Sequence, residues 1–272
     1  GDGGGGPTSK DNEMLKRMEY GIPGCPTTEF SDSTEFLNEI KEQSESQLEK
    51  WVGELYFEYH RGTYTSQSEM KKNNRKCEFA LQNTELFSVI ADSLLKFDYP
   101  KEKLDKMWKT VLTNQFHDIL PGSAIKEVYE TANSEEREIK KECGKFLENA
   151  FKSVADNISK AGTVVFNPTS FTCGGTVTID GKTRYCENIP AKGYAVTDFV
   201  PFDGSVAVTD RAIENKCFIV EFNDCMEISR IYDRRNVREV IPSGKAANRL
   251  VAFEDYPNNF DAWEIREYYK EK

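Results

Sequence analysis

The stretch that decides the fold runs from residue 104 to residue 122 and reads LDKMWKTVLTNQFHDILPG. Its apolar residues recur at steps of three and four, the spacing of one buried helical face; they are Leu104, Met107, Trp108, Val111 and Leu112. Pro121 and Gly122 cannot continue a helix, so His117 is predicted to lie near a helix C-terminus. Neighbouring helical residues point about 100° apart, so His117 and Asp118 are predicted to serve two different ligands, such as a metal and a polar substrate.

The two histidines of the chain, His60 and His117, also have an ordinary interpretation. A histidine beside a helix end is commonly a capping or packing residue, and one in an irregular segment is commonly a surface or packing residue. The residue types by themselves therefore leave both a structural and a functional role open.

Two further segments carry the helical period on either side of residues 104–112. The first stripe consists of Cys77, Ala80, Leu81, Phe87, Ile90, Ala91, Leu94 and Leu95, and the second of Ile139, Cys143, Phe146, Leu147, Ala150, Val154 and Ile158. Ser123 is a candidate cap for the later helix. Three amphipathic helices with short connections predict an antiparallel three-helix bundle with Phe87, Trp108 and Phe146 in its core.

The pattern changes to β at about residue 161. Residues 163–166 are β-branched and aromatic before a turn at Asn167 and Pro168, and Asp180-Gly181 is a typical hairpin turn between alternating segments. A second antiparallel pair is predicted on either side of residues 223–225. The C-terminal third is therefore predicted to be an antiparallel, sandwich-like β domain.

Charge and composition exclude several classes of partner. The chain carries 36 basic and 46 acidic residues, with a formal charge of −10, and has no basic run interleaved with aromatic residues. We therefore expect no nucleic-acid partner and no anionic membrane surface. No apolar run reaches the roughly 18 residues of a membrane span. The seven cysteines are scattered without a Cys-x-x-Cys pair, which predicts reduced thiols in a cytoplasm.

Three stretches of the sequence resemble the glycoside hydrolase family 38 α-mannosidases, most of all their cytosolic and bacterial branch. They are QFHDILPGS at 115–123, HRGTYTS at 60–66 and the glycine-rich GDGGGG at 1–6. Further similarity lies in VFNP at 165–168 and in the segment 231–264, which contains Trp263. The resemblance covers most of the chain.

The resemblance implies an α+β multidomain chain. Residues 1–67 would be the C-terminal part of a catalytic α/β domain, 68–160 a three-helix-bundle middle domain, and 161–272 the start of a C-terminal β-sandwich domain. The family is a group of retaining, zinc-dependent enzymes that act on the α-mannosides of glycans. The roles implied for this chain are acid/base catalysis by Asp2, zinc ligation by His117, and contact with the sugar by Asp118, His60, Arg61, Tyr64 and Ser66.

The chain departs from the family pattern in one respect. The family's nucleophilic aspartate and its other zinc ligands lie upstream of the string that resembles Gly1-Asp2, whereas a zinc site needs three or four protein ligands. We therefore expect this chain alone to be inactive and to need an upstream catalytic segment as partner. A mannose-containing oligosaccharide is the expected substrate, and a homo-oligomer is left open. The alternative is a noncatalytic module, a helical bundle plus β-sandwich, that binds a glycan or a protein and holds no zinc.

Overall fold

The computed structural model of the chain describes residues 6–44, 47–53, 59–201 and 204–271. The chain divides into two compact units, residues 1–56 and residues 57–272. Helices and antiparallel sheets make up the described residues, which confirms the α+β prediction. The predicted three-part division at residues 67 and 160 stays a prediction.

The described residues of the first unit contain two helices, α1 (Ser9–Glu19) and α2 (Ser33–Ser44). Thr8 caps α1 because its hydroxyl accepts a hydrogen bond from the amide of Asp11, while the Asp11 carboxylate accepts one from the amide of Thr8. These hydrogen bonds hold the pKa of Asp11 below its usual value. Residues 6–44 and 47–53 contain no strand, so the expected α/β catalytic remnant rests on the sequence resemblance alone.

The second unit begins with three long helices, α3 (Ser68–Leu95), α4 (Lys101–Asn114) and α5 (Lys126–Asp156). Helix α3 ends at Lys96, which adopts a left-handed conformation with φ 57° and donates its backbone N–H to the carbonyl of Asp92. Pro100 then precedes the first residue of α4, a position where its missing N–H leaves no helical bond unmade. The predicted helical periods of all three segments are confirmed.

Side chains from the three helices share one apolar core. Its buried members are Cys77, Leu81, Leu104, Met107, Val111, Ile139 and Cys143, with Trp108 and Phe146 partly buried against them. Phe87 lies in a second core with Phe151 and with Phe166 from the β region, where the rings of Phe151 and Phe166 stack 4.1 Å apart. The β region is thus joined to the helices by aromatic packing.

Within residues 159–201 and 204–271, the β region shows nine strands in three antiparallel sheets. The strands are β1 (Thr163–Asn167), β2 (Cys173–Ile179), β3 (Lys182–Ile189), β4 (Gly193–Thr197), β5 (Ala207–Val208), β6 (Ala212–Glu214), β7 (Phe218–Phe222), β8 (Ile228–Asp233) and β9 (Arg238–Glu239). Strand β1 pairs with β4 and β2 with β3, while β5 to β9 form one meander. Asp180 and Gly181, with φ 49° and 72°, make the predicted hairpin turn. The antiparallel pairing is confirmed, and face-to-face packing as a sandwich stays a prediction.

Candidate functional site

Three stretches that are far apart in the sequence meet in the second unit, and we call this meeting point the motif junction. It consists of residues 59–66, 116–123 and 262–267. The backbone N–H of Gly62 donates to the carbonyl of Trp263 at 2.6 Å, and the hydroxyl of Ser66 donates to the carbonyl of Ala262 at 2.9 Å. Ser66 is also in close contact with Gly122. The structure thus joins the parts of the chain that carry the family-like strings around His60, His117 and Trp263.

Residues 59–66 pack on residues 262–267 through a buried carboxylate. Glu264 is 1% exposed, and its Oε2 accepts the backbone N–H of Tyr59 at 2.7 Å. Arg61 approaches Glu264 at 3.9 Å and the exposed Glu267 at 3.4 Å. The ring of His60 meets that of Trp263 edge-on, with centroids 4.8 Å apart. His60 is therefore partly a packing residue.

Residues 116–123 contact residues 59–66 at Gly122. Gly122 adopts φ +104°, and a Cβ there would lie 2.7–2.8 Å from atoms of Ser66. A side chain at this position would collide with the backbone of Ser66 and would also need a left-handed conformation. The glycine is therefore required both by its own torsion and by the approach of the neighbouring segment.

His117 lies three residues after the end of α4, in the turn that follows it, as predicted. Its side chain is 71% exposed, that of Asp118 is 46% exposed, and His117 Nε2 lies 3.6 Å from Asp118 Oδ2. The two groups therefore lie close together, whereas the prediction of two different ligands assumed side chains about 100° apart on a helix. They present an imidazole and a carboxylate side by side at the surface of this unit.

Hydrogen bonds within the turn orient Asp118. Its Oδ1 accepts the hydroxyl of Ser123 at 2.9 Å, and its carbonyl accepts the hydroxyl of Tyr129 at 3.2 Å. Tyr129 in turn accepts the backbone N–H of Ala124, and burial raises the pKa of its hydroxyl. The prediction that Ser123 caps the last helix was wrong, because α5 begins after Ile125 and the Ser123 hydroxyl is engaged by Asp118.

The turn rests on a small apolar floor and a layer of polar side chains. Met70, Tyr129 and Ala132 form the floor, with Ile119 and Ala124 packed against it. In the polar layer, Gln115 donates to Asn74 at 3.0 Å and to Glu78 at 2.9 Å, and the buried Asn114 reaches Glu135 at 3.3 Å. Both ends of the turn are therefore anchored to α3 and α5.

The described residues do not by themselves make a zinc site. Within residues 6–44, 47–53, 59–201 and 204–271 there is no group of three or more His, Cys, Asp and Glu side chains that could hold a metal. His117 and Asp118 offer one imidazole and one carboxylate, whereas zinc takes three or four protein ligands. Any zinc bound by His117 would need ligands that these residues do not supply.

All the predicted site residues except Asp2 belong to the motif junction; they are His60, Arg61, Tyr64, Ser66, His117 and Asp118. Tyr64 lies in a short 3₁₀ helix (Gly62–Tyr64) and is 51% exposed. Asp2 lies outside the described residues, so its implied acid/base role stays a prediction. Sequence reasoning assigned no role to Glu264, although the residue stands next to Trp263 in a family-like string.

A groove of about 900 Å³ lies elsewhere in the second unit, between α3, α5 and the first strands. Its walls are mostly apolar and include Phe87, Phe151, Phe166 and Val177. None of the predicted site residues that the structure describes lines this groove, so the motif junction and the groove are separate features.

Two family models match the chain. Residues 58–154 match the alpha mannosidase middle domain, and residues 213–272 match the glycosyl hydrolases family 38 C-terminal domain. The first region contains helices α3 to α5 with two stretches of the motif junction, and the second contains the later strands with the third stretch. The chain belongs to glycoside hydrolase family 38, where it corresponds to a segment of the α-mannosidases.

Individual relatives agree with this assignment. The chain is 30% identical to Alpha-mannosidase 2C1 of Homo sapiens over 100% of its own length and 28% of that protein. It is 30% identical to Alpha-mannosidase G of Dictyostelium discoideum, over 97% of its length and 30% of that protein. A crystal structure of an alpha-mannosidase from Enterococcus faecalis V583 has the same fold over 84% of this chain and 35% of its own, with a TM-score of 0.56 at 15% identity. The chain thus spans under a third of its curated relatives.

Proposed function

We propose that the chain is part of a retaining, zinc-dependent α-mannosidase that hydrolyses the α-mannosides of glycans. The single observation that carries the proposal is the motif junction, because the three family-like strings of the second unit lie together with an exposed imidazole and carboxylate at their edge. The human relative that aligns with the full length of this chain is named Alpha-mannosidase 2C1. In the same proposal, residues 68–160 are a three-helix-bundle middle domain, residues 161–272 begin a β-sandwich domain, and residues 1–67 close a catalytic α/β domain.

In this proposal His117 is one zinc ligand, completed by residues of an upstream segment that acts as partner. Zinc would supply a positive centre that fixes and polarises sugar hydroxyls. The exposed imidazole, near the start of the turn, suits a ligand because its unprotonated nitrogen can bind a metal, and its ring contacts that of Phe116, with 4.2 Å between centroids. Asp2 is proposed as the acid/base carboxyl.

Asp118 is proposed to bind substrate. Its Oδ1 is oriented by the Ser123 hydroxyl, so the carboxylate is held ready to accept hydrogen bonds from mannose hydroxyls, and charge-assisted bonds of this kind are the stronger ones. Arg61 and Tyr64 lie on the neighbouring segment and are proposed to line the sugar side, with His60 and Ser66 supporting them. The reaction itself needs a nucleophile and an acid/base about 5 Å apart, and the nucleophile is proposed to come from the upstream segment.

The proposal includes a cytoplasmic location without a membrane or nucleic-acid partner. All seven cysteines are free thiols, as a reducing compartment would keep them. In the described part of the chain, no helix has the length and apolar character to cross a membrane. A homo-oligomer is compatible with the proposal and is not required by it.

The test uses the complete protein that contains this chain, an aryl α-mannoside and a chelator. We expect turnover that the chelator abolishes, and no turnover by the 272-residue chain alone. His117→Ala should lose both zinc and activity, because removal of a ligand leaves too few donors. Asp118→Asn should keep its zinc and raise KM by about tenfold or more, as expected when a hydrogen bond involving a charged group is weakened.

Three results would contradict the proposal. Turnover by the isolated chain would mean that its nucleophile lies within these residues. Unchanged zinc content in His117→Ala would remove the metal role of this histidine. A complete protein that binds glycans without zinc and without turnover would favour the noncatalytic module instead.

A further inference from the structure

Lys71 connects two of the three stretches of the motif junction. Its ammonium donates to the carbonyl of Ser66 at 2.5 Å, to that of Leu120 at 2.9 Å and to that of Pro121 at 3.1 Å. An ammonium group has three donors, so all of them are used on backbone carbonyls. One carbonyl belongs to the segment with Arg61 and Tyr64, and the other two belong to the turn with His117 and Asp118.

The position of Lys71 suits it for this connection. It lies in the first turn of α3 (Ser68–Leu95), next to Met70, which is fully buried in the floor beneath the turn. Because Met70 is packed against Tyr129 and Ala132, the start of the neighbouring lysine side chain has a defined location relative to both segments. Burial lowers the pKa of Lys71, which is consistent with a cation partly removed from water and held by carbonyl oxygens.

The two segments are in close contact where Lys71 bonds to them. Gly122 and Ser66 approach so closely that a Cβ on the glycine would collide. The carbonyls of Leu120 and Pro121 at this contact would lose hydration without a donor, and an unsatisfied buried carbonyl is unfavourable. The Lys71 ammonium supplies that donor to both sides at once.

We propose that Lys71 is a positioning residue that holds the His117–Asp118 turn in register with the Arg61–Ser66 segment. The expected effect of Lys71 on catalysis rests on the proposed function, whereas its effect on the structure of the two segments does not. Lys71 has no contact with substrate in this role. It acts through the backbone of the two segments in which the zinc ligand and the sugar contacts are proposed to lie.

The first experiment measures amide hydrogen exchange in the chain with Lys71→Met, which keeps most of the stem and removes the donors. Ser66, Leu120 and Gly122 are suitable probes because their backbone N–H groups bond to Gly62, Phe116 and Ile119 within the two segments. We expect these amides to exchange about tenfold or more faster, since losing bonds to a charged donor weakens local structure by at least that factor.

The control is Lys72→Met, a substitution of the same chemistry on the next, exposed residue of α3. It should leave the three probe amides unchanged. Lys71→Arg retains a cation with several donors and should restore part of the protection lost in Lys71→Met. Equal exchange in Lys71→Met and the unmodified chain would overturn the proposal, and so would faster exchange spread evenly over α5, which would reveal a general loss of stability.

The second experiment measures zinc affinity and kcat in the complete protein. Lys71→Met should weaken zinc binding and lower kcat by about tenfold, since misplacement of a catalytic group by as little as about 1 Å has large effects, while Lys72→Met should change neither. If the unmodified complete protein shows no turnover, the proposed function fails while the exchange result still tests Lys71. If turnover and zinc binding are normal in Lys71→Met, the positioning role fails and the proposed function stands.

Discussion

Glu136 lies on α5 with a side chain that is 0% exposed, and neither of its carboxylate oxygens has a hydrogen-bond partner within the described residues. Burial raises its pKa from 4.5 to about 7, an effect that Lys140 opposes and Glu135 adds to. The carbonyl of the same residue accepts the thiol of Cys77 on α3 at 3.4 Å. A carboxyl group in this place favours its neutral form in the folded chain.

The consequence is a stability that falls as pH rises. Between pH 4.5 and about 7 the folded chain keeps the Glu136 proton, whereas the unfolded chain releases it. The stabilising contribution of this group is therefore fully present below the pKa in the unfolded chain and is lost as the pH rises through the pKa in the folded chain. At about 1.36 kcal/mol for each pH unit, the full loss is roughly 3 kcal/mol. Glu136→Gln cannot ionise and should escape this loss.

The assay is urea unfolding of the chain, followed by the circular dichroism of the helices at about pH 5 and about pH 8. We expect the free energy of unfolding of Glu136→Gln, relative to the unmodified chain, to increase by roughly 2–3 kcal/mol between the two pH values. Glu127→Gln, at an exposed position in the first turn of the same helix, is the control and should show no such pH dependence. The reasoning would be refuted if the effect of Glu136→Gln were the same at both pH values.

Two further substitutions test the motif junction. Gly122→Ala should destabilise the second unit by on the order of 1–3 kcal/mol, because its Cβ would lie 2.7 Å from Ser66 at φ +104°. Urea unfolding measures this loss, and no shift of the midpoint to lower urea would contradict the prediction. Glu264→Ala should lower the free energy of unfolding by about 2–4 kcal/mol, since it leaves the Tyr59 amide and the Arg61 cation without this buried partner. An unfolding midpoint equal to that of the unmodified chain would refute this role of Glu264.

The sequence by itself determined the local structure of the second unit. The three- and four-residue steps around Leu81, Leu104 and Ile139 correctly predicted helices, because one apolar stripe can be buried only if the backbone repeats with that period. The Asp180-Gly181 pair correctly predicted a hairpin, because both positions need positive φ. The family-like strings indicated His60 and His117 as candidate site residues.

Only the tertiary structure decided which of these residues meet. The motif junction is formed by contacts between segments up to about two hundred positions apart. A local repeat of apolar residues carries no information about such long-range contacts. The structure also decided that Ser123 orients Asp118 instead of capping α5, because a hydroxyl bonds to whichever acceptor the folded turn brings within reach. The same holds for Lys71. Its sequence position is that of an ordinary helical lysine, but in the structure its ammonium bonds to one carbonyl five positions before it and to two carbonyls about fifty positions after it.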